Sequence, residues 1–85
     1  MEGANTTPGR RIYPDAEGWF TIQPGDYVKA VDGTWIAWAP GDRAPGGLQK
    51  HEITEHQDGT ITVTPSILTP SGWHGYLQAG IWTKA

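Results

Sequence analysis

The sequence predicts a small all-β domain of about six or seven short strands, joined as a meander and folded into a barrel or sandwich. Three observations support this fold class. Threonine alternates with isoleucine and valine from Thr60 to Thr64, which is the two-residue period of a half-buried strand. Asp-Gly pairs at 32–33 and 58–59 are typical of hairpin turns. No segment has the 3.6-residue hydrophobic period of an amphipathic helix.

The beginning of the chain differs in composition from the rest. Residues 1–17 contain two glycines and two prolines but few hydrophobic residues. This composition predicts a flexible or docking arm over residues 1–17, followed by a single β domain over residues 18–85. Ile12 and Tyr13 are the side chains expected to attach a docking arm to a neighbouring surface. The alternative is a disordered tail.

Three segments of the N-terminal half predict strands. Residues 19–22 form the first and residues 26–31 the second, with a Pro-Gly turn at 24–25 between them. The Asp-Gly turn at 32–33 then leads into a third strand over residues 34–39. This part of the chain is therefore expected to contain one strand followed by a hairpin.

The register of this first hairpin is predicted from a two-residue loop at the Asp-Gly turn. Tyr27 then lies opposite Trp38 on one face, and Ala30 lies opposite Trp35 on the other. Each face therefore carries a tryptophan. One of them is expected to face the core, and the other to cover the second sheet, an assembly contact or a ligand.

A second hairpin is predicted around the other Asp-Gly pair. A three-residue loop over residues 57–59 pairs Ile53 with Val63 and separates the apolar side chains from the threonines. A two-residue loop would mix apolar and polar side chains on both faces. In the favoured register, His51 shares the face of Ile53 and Val63, whereas His56 lies on the threonine-rich face.

The C-terminal segment predicts a strand over residues 73–77 and a short last strand over residues 80–82. Leu77 is expected to point inward. The alternate positions then form an outward row of polar and aromatic side chains: His74, Tyr76 and Gln78. Such a row suits hydrogen bonding and stacking with a small ligand or a peptide, and the alternative is an ordinary solvent face or a subunit contact.

Composition excludes several classes of partner and location. The net charge is −3, and no basic run is longer than Arg10-Arg11, so we expect no nucleic-acid partner. The absence of cysteine excludes disulfides and cysteine-type zinc sites. The chain shows no secretory signal and no membrane-spanning stretch, so we expect a virion or host-cytoplasm location without membrane contact. Residues 59–83 carry no charged side chain, which suggests burial in the core, in a subunit interface or against a partner.

The serine and histidine residues of the sequence allow one candidate catalytic arrangement and one candidate metal site. Ser66 with His74 or His51 could act as nucleophile and base, but neither a nucleophile elbow nor a third orienting residue surrounds Ser66. A zinc site would need His51, His56 and His74 together, and the predicted register separates the first two. We therefore expect no catalytic site, no metal and no cofactor. The candidate contact residues for a ligand or partner are His51, Ser66, His74, Tyr76, Gln78 and Trp38.

The sequence also resembles a known family. The run His-Glu-Ile-Thr-Glu-His-Gln-Asp-Gly-Thr-Ile-Thr-Val-Thr-Pro-Ser-Ile at 51–67, with Trp-His-Gly-Tyr-Leu at 73–77 and Gly-Ile-Trp at 80–82, resembles a small uncharacterised domain family of actinobacteria and their phages. The similarity covers residues 18–83. Some relatives carry a cysteine cluster before the hairpin, which this chain lacks, so the resemblance implies no metal. It implies a phage or phage-derived bacterial accessory protein and supplies no activity.

Three functions follow as expectations. The first is a non-enzymatic phage or phage-derived accessory protein that acts through protein–protein contacts, in the virion or on a host factor, with a protein partner or by self-association. The alternative is a module that binds or sequesters a nucleotide or sugar through His74, Tyr76 and the tryptophans. The second alternative is a hydrolase that uses Ser66 and His74.

Overall fold

The computed structural model describes residues 5–85, and these residues form nine β-strands and no helix. The strands are β1 (Thr6–Pro8), β2 (Arg10–Ile12), β3 (Asp26–Lys29), β4 (Trp35–Ala37), β5 (Gly46–Gly47), β6 (Glu52–Glu55), β7 (Ile61–Leu68), β8 (His74–Gln78) and β9 (Ile81–Lys84). The predicted all-β class is confirmed. The described part of the chain has more strands than predicted. The additional strands, β1, β2 and β5, are only two or three residues long, so they were not predicted from the sequence.

The strands are divided between two sheets. The large sheet has the order β1-β9-β8-β7-β6, and the small sheet has the order β2-β3-β4-β5. From β6 to β9 the chain runs as an antiparallel meander, and β1 pairs antiparallel with β9 at the far edge. In the small sheet only the β2–β3 pair is parallel. The two sheets remain open, so the predicted sandwich describes the fold better than the predicted barrel.

The hydrophobic core contains side chains from both sheets. From the small sheet and its loops come Tyr27, Trp35, Ala37, Ala39 and Leu48, and from the large sheet come Ile61, Val63, Ile67, Trp73, Leu77 and Trp82. Trp73 and Trp82 meet edge to face, with their ring centroids 5.5 Å apart and their planes at 89°. Tryptophan therefore supplies much of the buried area in a chain with few aliphatic residues.

The prediction of an arm is wrong for residues 6–12, which belong to both sheets. Strand β1 pairs with β9 and β2 pairs with β3, and the chain crosses between the sheets at Gly9, whose N–H donates to the Gly80 carbonyl at 2.7 Å. Edge strands are held by backbone hydrogen bonds, so they need no hydrophobic alternation that a sequence pattern could reveal. Residues 1–4 of the predicted arm lie outside the described residues.

The strand predicted over residues 19–22 is absent from the described chain, and this segment is part of the connection from β2 to β3. A parallel pair of strands requires such a crossover. Val28 is fully buried although it lies on the opposite face of β3 from Tyr27. Phe20 and Ile22 are half-buried, so we infer that the connection covers the side of the small sheet that faces away from the core.

The register predicted for the first hairpin is wrong by one residue. Tyr27 pairs with Ala37 rather than Trp38. The Ala30 N–H donates to the Thr34 carbonyl at 2.8 Å, so the loop has three residues and ends at Gly33, with a φ of +90°. For the second hairpin, the predicted three-residue loop and the Ile53–Val63 pairing are confirmed.

The same five-residue turn occurs four times in the described chain. In each, the first residue donates its N–H to the carbonyl of the fifth, and a glycine at the fourth position donates back to the first. The four glycines have φ values between 89° and 95°, which avoids the Cβ clash of other residues. The turns are 15–19, 30–34, 56–60 and 69–73.

Candidate functional site

The side of the large sheet that faces away from the core has a distinctive composition. Alternation along β8 buries Gly75 and Leu77 and exposes the predicted row of His74, Tyr76 and Gln78. We call the outward positions of β7, β8 and β9 the outer face. It consists of Thr62, Thr64, Ser66, Leu68, His74, Tyr76, Gln78, Ile81 and Thr83, none of which is an aspartate, glutamate, lysine or arginine.

Three large hydrophobic side chains are exposed on the outer face. Leu68 is 69% exposed, and Tyr76 and Ile81 are each 40% exposed. Leu68 pairs with His74 across the β7–β8 ladder, and Ile81 pairs with Gln78 across the β8–β9 ladder. Apolar groups therefore lie on all three strands, separated by hydroxyl, amide and imidazole groups.

Four of the predicted contact residues lie close together, with Ser66, His74 and Tyr76 on the outer face and His51 beside the Ser66 backbone. The Ser66 hydroxyl and His74 Nε2 are 3.1 Å apart, and His51 Nε2 is 3.2 Å from the Ser66 carbonyl oxygen. The Tyr76 ring is adjacent, with its centroid 6.4 Å from that of His74. The structure thus brings His51, Ser66, His74 and Tyr76 together, although they belong to different parts of the sequence.

The Ser66–His74 pair lacks the third group of a catalytic triad. Within the described chain, no side chain forms a hydrogen bond with His74 Nδ1, and no carboxylate contacts the imidazole. A serine and an imidazole at this distance can share a hydrogen bond. Activation of the serine would also require the ring to be held in one tautomer.

The third histidine contacts a different residue of the outer face. His56 Nε2 is 2.7 Å from the Thr62 hydroxyl, which also accepts a hydrogen bond from the backbone N–H of Ala79 at 2.9 Å. Among residues 5–85, no group of three or more histidine, aspartate or glutamate side chains is placed to hold a metal ion. The three histidines consequently do not form one site.

Trp38 and Gln78, the remaining predicted contact residues, have different environments. Trp38 is half-buried, and its indole N–H donates to the Asp42 carbonyl at 3.0 Å, so it stabilises its own loop. It is not part of the outer face. Gln78 lies on the outer face beside Ile81 and is exposed.

A pocket of about 280 Å³ opens between the two sheets, next to the Leu68 end of the outer face. His51 is one of its lining residues. The other walls are mainly apolar and include the buried side chains of Ala37, Ala39, Leu48, Ile67 and Trp82. Prolines from two loops, Pro45 and Pro70, complete much of the apolar rim.

Polar side chains join the two loops at the mouth of the pocket. The Ser71 hydroxyl donates to the Asp42 carboxylate, which also accepts the backbone N–H of Arg43 at 2.9 Å. The hydrogen bond from Ser71 holds the pKa of Asp42 below its ordinary value. The carboxylate is therefore ionised at neutral pH and connects the loop before β5 to the loop before β8.

Sequence reasoning missed most of the residues that form this pocket. Asp42 and Arg43 lie in the connection from β4 to β5, and Ser71 lies in the connection from β7 to β8. Because loop residues have no periodicity, nothing in the sequence indicated that these two loops meet. His51 is the one predicted contact residue that lines the pocket.

Comparisons of the chain with protein-family models, with curated proteins and with solved structures find no match. The described part of the chain contains no helix that is long and apolar enough to cross a membrane.

Proposed function

We propose that this chain is a non-enzymatic binding domain that contacts another protein through the outer face of the large sheet. The observation that supports this proposal is the combination of exposed Leu68, Tyr76 and Ile81 with the absence of aspartate, glutamate, lysine and arginine from the outward positions of β7, β8 and β9. The charged side chain next to them on this side of the sheet is Glu52 of β6, opposite Thr64. The central parts of protein interfaces are depleted in charged residues and enriched in aromatic ones. Hydroxyl groups and His74 between the apolar side chains supply hydrogen-bonding partners.

The dimensions of the face favour a transient contact. Three strands spaced about 4.8 Å apart and about five residues long give an area of about 240 Å². A stable interface buries about 800 Å² on each partner. A partner that binds this face should therefore be flat and weakly charged, and should dissociate readily unless it also contacts the neighbouring loops.

The biological setting of this proposal comes from the resemblance described above. A phage or phage-derived bacterial accessory protein, in the virion or the host cytoplasm, would use such a surface for an assembly contact or for a host factor. The contact itself depends only on the outer face, so it is tested without assuming this setting.

Site-specific photo-crosslinking in the native host tests the contact. A photoreactive phenylalanine replaces Tyr76 in one variant and Val31, which is 77% exposed on the first hairpin loop, in the control. We expect one defined adduct from position 76 that disappears when Ile81→Lys is added, and no such adduct from position 31. An adduct of twice the chain mass would identify a second copy as the partner. Equal adducts from both positions, or none from either, would contradict the proposal.

The hydrogen bond between Ser66 and His74 favours a second candidate function, ester or amide hydrolysis. We prefer the non-enzymatic function because no described side chain orients His74. Hydrolysis of activated esters by the natural chain and by Ser66→Ala decides between them. Equal rates are expected, and a rate that falls at least about a hundred-fold in the variant would establish catalysis.

A further inference from the structure

We propose that the pocket between the sheets binds a small neutral molecule that has an apolar ring and one O–H or N–H donor, and that His51 recognises this donor. Substituted phenols and indoles belong to this class. The pocket shares Leu68 with the outer face, but Tyr76 and Ile81 do not line it, so the inference does not depend on the proposed protein contact.

The size of the pocket limits its occupant. Its volume is about 280 Å³, at the lower end of the range for ligand pockets. A cavity of about 150 Å³ lined by aliphatic and aromatic side chains holds benzene, so about 280 Å³ suits a molecule of about ten heavy atoms. A nucleotide exceeds this size.

The walls of the pocket favour an apolar body. Leu48, Ile67 and Trp82 are almost completely buried and present hydrocarbon and ring surface to it. Ala37 and Ala39 leave room between the sheets because their side chains are small. A ring placed against these residues gains free energy from the removal of apolar surface from water.

The charges at the mouth balance each other. Asp42 and Arg43 are the only residues among those that line the pocket with a formal charge at neutral pH. Asp42 is engaged by Ser71 and by the backbone N–H of Arg43. The mouth therefore has no net formal charge, which favours a neutral occupant over an acid or an amine.

His51 supplies the polar specificity. Its Nε2 lies 3.2 Å from the Ser66 carbonyl, which can only accept a hydrogen bond, so Nε2 carries the proton. In the neutral ring, Nδ1 is then an acceptor. Nδ1 is buried and has no hydrogen-bond partner among the described residues. A buried acceptor without a donor is unfavourable, and a ligand with an O–H or N–H group supplies the missing donor.

A matched pair of ligands tests the inference. The ¹⁵N-labelled chain is titrated with p-cresol and with toluene, which differ only in the hydroxyl group, and backbone and imidazole resonances are followed. We expect saturable shifts at Leu48, His51 and Ile67, with p-cresol binding at least about five-fold more tightly than toluene. Because Nδ1 is shielded from solvent, a ligand reaches it only when the imidazole ring turns toward the pocket, so the His51 resonances should shift most.

Two histidine variants complete the test. His51→Leu should bind p-cresol and toluene equally, whereas His56→Leu, which changes a half-buried histidine outside the pocket, should keep the preference. If His51→Leu does not fold, the p-cresol to toluene ratio of the natural chain decides the question. Equal affinities in the natural chain, no shifts at the pocket, or shifts confined to Tyr76 and Ile81 would overturn the proposal.

Discussion

Arg11 of β2 and Glu55 of β6 form an ion pair between the two sheets, in which Nη1 donates to Oε2 at 2.8 Å. The same nitrogen donates to the Gly59 carbonyl at 3.1 Å. The guanidinium carbon lies 4.8 Å from the ring centroids of both Tyr13 and Trp35. Arg11 therefore connects the small sheet to the edge of the large sheet through charge, hydrogen bonds and ring contacts together.

We expect Arg11→Ala to lower the free energy of unfolding by about 1–3 kcal/mol, because it removes two ring contacts and the hydrogen bonds. Arg11→Lys should lose less, since it keeps the charge but cannot donate in the same planar arrangement. Urea denaturation measures the effect. Arg43→Ala is the control, because this exposed arginine forms no ion pair with a described residue. An Arg11→Ala variant as stable as this control would contradict the assigned role.

Close approach of two strands makes Gly75 a sensitive position. A Cβ atom there would collide with the carbonyl oxygen of Thr83 and with the Trp73 ring, and would lie 3.0 Å from the Cα of Lys84. Backbone atoms cannot move aside without disturbing the β8–β9 pairing. We therefore expect Gly75→Ala to destabilise the fold by at least about 2 kcal/mol.

Gly46→Ala is the matched control for this prediction. A Cβ atom at Gly46 would meet no other atom within 4 Å, and its φ requires no glycine. The free energy of unfolding of this variant, measured by thermal or urea denaturation, should stay within about 0.5 kcal/mol of that of the natural chain. Similar midpoints for the two variants would show that the strands separate at Gly75 at little cost.

The conformation of the repeated turn can be tested at Gly33. Its φ is +90°, and a Cβ atom there would meet nothing within 4 Å, so a substitution changes only backbone strain. Gly33→Val should cost about 1–2 kcal/mol, and Gly33→Asn should cost less because asparagine tolerates positive φ. Thermal unfolding of both variants checks this order, and a valine variant as stable as the asparagine variant would contradict it.

Four carboxylates make the fold sensitive to acid. Hydrogen bonds from Arg11, Thr60 and Ser71 hold the pKa values of Glu55, Asp58 and Asp42, respectively, below their ordinary values. The backbone N–H of Thr34 does the same for the pKa of Asp32. Since these groups bind protons more weakly in the folded chain than in the unfolded chain, protonation favours unfolding. Their stabilising contribution is present at neutral pH and is lost as pH falls below about 4.

Thermal unfolding between pH 7 and pH 3 checks the acid sensitivity. The midpoint temperature of the natural chain should fall over the acidic part of this range. The midpoint temperature of Glu55→Gln should fall less, because this substitution removes one of the titrating groups. The matched comparison is Glu52→Gln on the same strand, for which no ion pair is formed with a described residue. A pH dependence that is identical in all three chains would contradict the role of Glu55.

Local patterns predicted the parts of the fold that depend on a few neighbouring residues. The alternation from Thr60 to Thr64 and the polar face of this hairpin selected its loop length and the Ile53–Val63 register, which the structure confirms. The register of the first hairpin was predicted from its Asp-Gly pair alone, and segregation could not correct the loop length because both faces of the small sheet are buried: Tyr27 and Val28 are each almost fully buried. When both faces are apolar, segregation no longer distinguishes one register from the next.

The candidate sites were also predictable only where they depend on a single strand. The sequence indicated that His74 and Tyr76 share an outward row, since alternation along one strand determines which side chains share a face. It left open whether Ser66 would meet His74 or His51, because the β7–β8 ladder shifts register between Val63 and Ile67. That irregularity arises from pairing with the next strand.

Turn positions and strand faces are thus properties of the sequence itself, because each depends on backbone conformation and alternation within a short segment. The edge strands β1 and β2, the ion pair of Arg11 with Glu55, and the pocket beside His51 were decided only by the tertiary structure. Edge strands form through backbone hydrogen bonds that any residues except proline can donate. The pocket exists because two loops without periodicity meet where the sheets pack together.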